Sequence, residues 1–385
     1  MRLRSGVDSE CDGRERCYSD VACGDRVPAT PAVGSPPAVS AGEVHLGYFA
    51  SWSTSRQCSG FTDATLAAVA GRYTHLAWSF AAVAADGHLI PTMADDPRRW
   101  RAFNKAVKRT SPAVRTELAV GGWSFNSGAT ATRWSNMAAS PVARSTFATS
   151  AVAALRAADM DGLDIDWEFP GVADRGGRPE DRVNLVALAQ ELRAAFDASP
   201  GSRLGLTIAI PAWTDYSGSY NLRALARHVD WFNLMSYDLA GGGSVTGAHT
   251  GMTPIRAAVS RMRAAGVPAS QIVLGIAAYG RTWTLADGRA CAVAGGRSCT
   301  ATGLGRPGKC SAEAGFLSDR EIAAASSAGY GGGVTTGTID GAAWTIFGGD
   351  QYVSHDTAAT VNIKDAFARE ARLRGTMVWS VDQVA

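Results

Sequence analysis

Apolar residues gather into eight short runs along the chain, at 44–52, 73–83, 116–123, 161–169, 203–211, 231–238, 271–279 and 375–382. Stretches such as LGLTIAI and IVLGIAAYG are nearly continuous, as parallel strands covered on both faces should be. Polar turns and helical segments separate the runs. Within 181–196, Leu185, Leu188, Leu192 and Phe196 repeat at three and four, which predicts one apolar helix face. Pro141 and Pro254 sit where first helical turns are expected. Eight strands alternating with helices predict an α/β fold, a (β/α)8 TIM barrel.

The spacing breaks once. About 95 residues lie between the seventh and eighth runs, too many for one structureless loop. The gap holds Cys291, Cys299, Cys310 and the glycine-rich GYGGGVTTG. It predicts a small α+β lobe at 283–350, inserted between strand seven and the next helix, on the C-terminal rim. A helix over 357–373 follows. The barrel proper is then 42–282 plus 351–385.

Length and charge narrow the picture. A chain of 385 residues suggests two or three domains, but a barrel absorbs roughly 250 residues as one unit. Lys+Arg is 37 against Asp+Glu 35, so nothing global favours nucleic acid or an anionic membrane. The longest apolar runs are too short to span a bilayer. The first 41 residues differ from the rest. They carry Cys11, Cys17 and Cys23, then the extended linker PATPAVGSPPAVSAG. A disulfide module cut off at its start and a tail with incidental cysteines fit this arm equally well. No apolar stretch follows Met1, so no secretory signal is expected in the chain as it stands. Cys58 stands apart in the loop after strand one, and the three lobe cysteines allow one bridge and leave a third thiol.

The segment DGLDIDWEFP carries the chemistry. Alternate residues of a strand share a face, so Asp164, Asp166 and Glu168 point into the barrel while Leu163, Ile165 and Trp167 point out. Carboxylates spaced by ~6.5 Å in a low dielectric cannot all ionise cheaply. At least one should hold a proton near neutral pH. Glu168 lies last, at the C-terminal mouth where barrel enzymes place their chemistry, and a protonated acid there is a general acid. A metal site fits less well, because hard cations draw ligands from several loops and no histidine lies nearby. A solvated edge strand fits less well still, given the flanking buried run.

DGLDIDWE resembles the DxxDxDxE signature of glycoside hydrolase family 18, the chitinases. Further matches keep the family's order: Ala119-Val-Gly121-Gly122-Trp123 with SxGG, Met235-Ser-Tyr237-Asp238 with MxYD, Tyr279-Gly-Arg281-Thr-Trp283 with YGR, and Met377-Val-Trp379-Ser with the strand-eight tryptophan segment. The stretch PGVADRGGRPEDRVNLVALAQELR looks most like the fungal killer-toxin-type chitinases, in which cysteine-rich chitin-binding modules often precede the barrel.

The resemblance implies retaining, substrate-assisted hydrolysis of β-1,4-linked N-acetylglucosamine polymer, with no cofactor and no metal. It makes Glu168 the acid and base, and Asp166 the acceptor of the substrate acetamide N–H. Asp164 shares a proton with Asp166, and Tyr237 donates to the acetamide oxygen. Asp161 begins the strand and reads as structural support or a capping residue. Sugars present apolar C–H faces that aromatic platforms bind. Trp379 is expected beneath the reacting sugar, with Tyr48, Phe80, Gly122 and Met235 lining the pocket. Trp123 is expected on the leaving-group side. Asp238 is expected at the sugar or the catalytic network, and Arg281 at the sugar or bracing the lobe. Trp52, Trp213 and Trp283 are weaker candidates.

Four positions depart from the family pattern. Ala119 stands where serine is usual, Ala77 and Trp78 stand where Asn and Tyr are frequent, and Phe169 replaces the common Tyr. Two other readings compete. An endo-N-acetylglucosaminidase shares the carboxylate motif but usually lacks the insertion. A chitin-binding lectin on the same barrel typically loses the terminal glutamate. The expected partner is chitin or chito-oligosaccharide, with no nucleic acid or membrane, bound by a monomer in an oxidising extracellular setting.

Overall fold

The computed structural model describes residues 42–56, 58, 62–213, 218–328 and 333–384. The expected N-terminal arm over 1–41, with Cys11, Cys17 and Cys23, lies outside the described residues.

Each of the eight apolar runs holds one strand of a closed parallel barrel. With strands numbered in chain order, these are β1 (Val44–Ala50), β2 (His75–Val83), β4 (Arg115–Gly121), β5 (Gly162–Asp166), β6 (Gly205–Pro211), β7 (Trp231–Met235), β8 (Ile272–Ala277) and β15 (Gly375–Trp379). They pair in the order β1-β15-β8-β7-β6-β5-β4-β2, and β1 pairs with β2 to close the ring. A short β3 (Leu89–Pro91) runs antiparallel to the end of β2.

Strand alternation divides the core in two. Leu163, Ile165 and Trp167 face outward and pack with Leu206, Ile208, Ile210 and the helices. The helix Asp181–Ala198 contributes Leu185, Leu188, Leu192 and Phe196, the face its periodicity predicts. Inside the barrel, Leu46, Tyr48, Ala77, Ala119, Val273 and Met377 form a second apolar cluster beneath the mouth. Pro141 opens the helix Pro141–Ala158, with the Ser140 hydroxyl accepting from the Ala143 N–H. The helix expected at Pro254 starts two residues earlier, at Met252. Its first N–H groups are satisfied from far along the chain: Met252 N–H donates to the Asp340 carbonyl at 2.7 Å, and Thr253 N–H donates to the Asp340 carboxylate.

The long gap builds a second sheet of six strands: β9 (Tyr279–Leu285), β10 (Ala301–Leu304), β11 (Phe316–Ser318), β12 (Thr335–Ile339), β13 (Ala342–Phe347) and β14 (Gln351–His355). All its pairings are antiparallel, and the helices Gly288–Val293 and Asp319–Ala328 lie within it. The sheet reaches beyond 283–350 at both ends, because β9 begins at Tyr279, almost directly after β8, and β14 runs on to His355. The helix Ala358–Glu370 then returns the chain to the barrel.

Two disulfides fix this insertion. Cys291 pairs with Cys299 inside it, while Cys310 reaches Cys58 in the loop after β1. The third lobe thiol therefore finds its partner on the barrel. A cross-link over 252 residues removes more unfolded-state entropy than one over 8. Replacing Cys58 and Cys310 by serine should lower the unfolding free energy by about 5 kcal/mol, against about 2–3 for the Cys291/Cys299 pair. Denaturant unfolding of the two double variants checks this, and equal losses would contradict it.

Candidate active site

The catalytic candidates sit at the C-terminal mouth because β5 ends there. Asp164 is deepest and fully buried. Its Oδ1 accepts from the Thr207 hydroxyl at 2.6 Å and from Asn233 Nδ2 at 3.0 Å, and its Oδ2 accepts from the Tyr48 hydroxyl at 2.7 Å. Burial raises its proton affinity, and these three donors oppose that rise by supporting the charged form. Asp166 is buried as well, and its Oδ1 has no hydrogen-bond partner among the described residues. Burial, then the charges of Glu168 and Asp164, push its pKa well above the ordinary carboxylate range. Burial pushes the Glu168 carboxyl up to about 8; the Arg175 charge opposes this and the Asp238 charge adds to it. Asn126, fully buried, accepts the Glu168 backbone N–H at 3.1 Å.

The paired glycines after β4 let the main chain approach β5. Gly121 has φ +111°, and a Cβ there would lie 2.2 Å from the Asp166 carbonyl oxygen. Gly122 donates its N–H to that same oxygen at 2.8 Å, and a Cβ on it would strike the Phe80 ring. Gly122 thus packs beneath an aromatic platform.

The opposite wall comes from the end of β7. Tyr237 is buried, with its hydroxyl 4.0 Å from Met377 Sδ and its ring edge-on to Tyr279; Met235 is half-buried beside it. Burial, then the Asp166 charge, raises the Tyr237 pKa well above its ordinary value, so its hydroxyl remains a donor. Asp238 has φ +56° and is gripped by Arg281 through Nε at 2.5 Å and Nη2 at 2.7 Å. Burial opposes its charge, but hydrogen bonds from Arg281 and His249 hold its carboxyl well below the usual range. Arg281 lies on β9, so this pair ties the barrel mouth to the inserted sheet.

Aromatic rings make the floor. Trp379 stacks on Phe80 with centroids 5.6 Å apart, and Phe80 stacks on Trp52 at 5.9 Å. Tyr48 tilts against Trp379 at 5.6 Å. Trp52 is 37% exposed and Trp123 55%, so both offer rings to a ligand. Trp283 does not: it is fully buried in the core of the inserted sheet with Leu285 and Tyr352. Trp213 donates its Nε1–H to the Asp238 carbonyl at 2.9 Å.

Known proteins share this fold. The model of glycosyl hydrolases family 18 matches residues 44–383. The chain belongs to that family. It is 32% identical to "Chitotriosidase-1" of Mus musculus over 328 residues, 80% of this chain. The group IV chitinase of Ostrinia furnacalis, solved with allosamidin, superposes with a TM-score of 0.77 at 28% identity, covering 89% of this chain and 92% of that one. A mutant class V chitinase of Nicotiana tobaccum, solved with NAG4, gives 0.75 at 26% identity, with 89% and 94% covered. The chain spans about two thirds or less of the curated relatives' own length, 66% for the mouse protein and 62% for the "Endochitinase" of Manduca sexta.

Within this family frame the departures acquire neighbours. Ala119 pairs in register with Asp164, so no hydroxyl reaches that aspartate from β4. Thr207 on β6 and Asn233 on β7 supply donors to it instead. Ala77 joins the inner cluster, while Trp78 faces outward against Phe49 and Phe103. Phe169 packs edge-on between Trp123 and Trp213. Asp161 accepts from Lys108 and from the Thr116 N–H, the structural role expected of it.

Sequence reading passed over Thr207, Asn233, Asn126, Arg175 and Glu117. Inward alternation along β4, Glu117-Leu-Ala119, was the available signal for Glu117. That carboxyl is fully buried one step deeper, and burial, then the Asp164 charge, pushes it up to about 8. The folded state therefore binds a proton that the unfolded chain releases above its ordinary value near 4.5. This contribution to stability is full below that value and is lost as pH rises through about 8. Glu117→Gln should flatten the fall in unfolding free energy over this window by up to about 1.4 kcal/mol per pH unit, one proton's worth. An unchanged slope in denaturant unfolding would count against this placement of the proton.

Proposed function

We propose that the chain is a chitinase, hydrolysing β-1,4 linkages between N-acetylglucosamine units by substrate-assisted retention. The observation that carries this is the stack of carboxyls on β5 and just past its end. A proton-holding Glu168 sits at the mouth, above a buried Asp166 with one oxygen left without a protein partner among the described residues. Chitin supplies what that oxygen lacks, an acetamide N–H.

The roles follow from the geometry. Trp379, with Tyr48 and Phe80 beside it, carries the apolar face of the reacting sugar. Tyr237 donates its hydroxyl to the acetamide carbonyl and Asp166 accepts the acetamide N–H, which aims the carbonyl oxygen at the anomeric carbon. Glu168 gives its proton to the glycosidic oxygen as that bond breaks and the acetamide oxygen bonds to the anomeric carbon. The oxazolinium ion so formed is stabilised by Asp166, whose charge Asp164 modulates from below. Water then adds to the anomeric carbon as Glu168 takes its proton, the ring of the intermediate opens, and the configuration is retained. Asp238, held by Arg281, keeps a fixed negative charge facing Glu168 and favours its protonated state.

The lobe at 283–350 is proposed as one wall of a deep groove, suited to following a chain along its length. The PGVADRGGRPEDRVNLVALAQELR stretch supports a place near the fungal killer-toxin-type enzymes. The two disulfides support an oxidising, extracellular setting. No described helix is long and apolar enough to cross a membrane. The enzyme is proposed to act as a monomer.

Hydrolysis of chito-oligosaccharides tests this reading. Glu168→Gln should lose about 10²–10⁴-fold in kcat. Asp166→Asn should lose kcat with KM little changed, since its hydrogen bond strengthens as the intermediate forms. Because the acid must be protonated, the alkaline limb of wild-type activity should fall near 8. Absence of wild-type turnover, or full activity in Glu168→Gln, would overturn the proposal.

A further inference from the structure

Arg175 ends a short turn, Ala173–Arg175, in the loop after β5. The turn is pinned from both sides. Gly177 N–H donates to the Val172 carbonyl at 2.8 Å, and a Cβ on Gly176 would lie 2.4 Å from the Ala131 carbonyl oxygen. From this base one guanidinium reaches three groups. Its Nε–H donates to the Glu168 carbonyl at 3.1 Å, and its Nη2–H donates to the Trp123 carbonyl. Its Cζ also lies 3.8 Å from the centre of the Trp123 ring.

We propose that Arg175 is a positioning residue for the catalytic acid, fixing the Trp123 platform to the Glu168 main chain and holding a permanent positive charge beside the carboxyl. This rests on the chitinase reading above. The planar fork of arginine fits the arrangement, because one rigid group meets two carbonyls and a ring face. A lysine point charge on a flexible stem cannot meet all three. The consequence for specificity lies on the leaving-group side, where one face of Trp123 is covered and the ring is held in a single orientation.

The charge also has a chemical use. The charged and titratable groups around Glu168 are Asp164 and Asp166 on β5 just before it, Asp238 with its partner Arg281, Tyr237, Tyr220 and Arg175. Burial and Asp238 favour the neutral acid, and the Arg175 cation opposes them. Glu168 must release its proton in the first step and take one back in the second. A cation beside it keeps the carboxylate accessible for the second step.

Two variants separate charge from geometry. Arg175→Gln removes the charge, so the alkaline limb of kcat/KM should move up by about one pH unit. The Glu168 carboxyl stretch in infrared titration, assigned by its loss in Glu168→Gln, should move with it. Arg175→Lys keeps the charge and loses the fork. Its limb should stay with wild type, while KM rises about threefold or more for oligosaccharides that extend past the cleaved bond. The proposal is overturned if Arg175→Gln leaves both titrations in place, or if Arg175→Lys shifts the limb equally or leaves KM unchanged. Should Arg175→Gln fail to fold, Arg175→Lys alone decides. A wild type without turnover would contradict the chitinase reading, and the infrared titration would still decide the role of Arg175.

Discussion

Three carboxyl groups on alternate residues of one buried strand cannot all carry charge, and the rest of the site is arranged around that constraint. Asp164 receives three hydrogen-bond donors, so it bears negative charge at least cost. Asp166 receives none from the described residues on Oδ1. Burial raises the proton affinity of both Asp166 and Glu168, and Glu168 is the one nearest the mouth. The gradient runs from satisfied at the floor to unsatisfied at the mouth, which is the direction from which a substrate arrives.

This arrangement depends on closure of the barrel. Tyr48 on β1, Thr207 on β6 and Asn233 on β7 reach Asp164 because the ring brings β1, β5, β6 and β7 around one axis. The inserted sheet contributes from outside the ring. Arg281 on β9 grips the Asp238 carboxylate, and the Cys58–Cys310 bridge joins the same insertion to the loop after β1. The mouth is therefore braced at two points, after β1 and after β7, with β15 and β8 between them. The floor of stacked rings, Trp52, Phe80 and Trp379, draws on the turn after β1, on β2 and on β15.

The eight strands were legible in the sequence because buried parallel strands write unbroken apolar runs. The carboxylate face was legible because strand alternation is strict. Other features leave no local trace. The cap on the helix Met252–Ala264 comes from Asp340, 87 residues away, so Pro254 marks its first turn but not its first residue. The donors to Asp164 are single polar residues within apolar strands, and only barrel closure shows that Thr207 and Asn233 meet it. Pairing of Cys58 with Cys310 spans 252 residues and is set by how the insertion folds back. Trp283, a weaker platform candidate in the sequence, packs instead with Leu285 and Tyr352 in the insertion's core, because β9 carries it away from the mouth into the second sheet.

If the substrate's own acetamide is the nucleophile, the site is built to hold a cyclic oxazolinium ion between Asp166 and Tyr237. The inhibition constant of the stable thiazoline analogue of N,N′-diacetylchitobiose measures that directly. The account predicts competitive inhibition with a constant at least ~10²-fold below KM for chito-oligosaccharide. A thiazoline that binds no more tightly than substrate would contradict it.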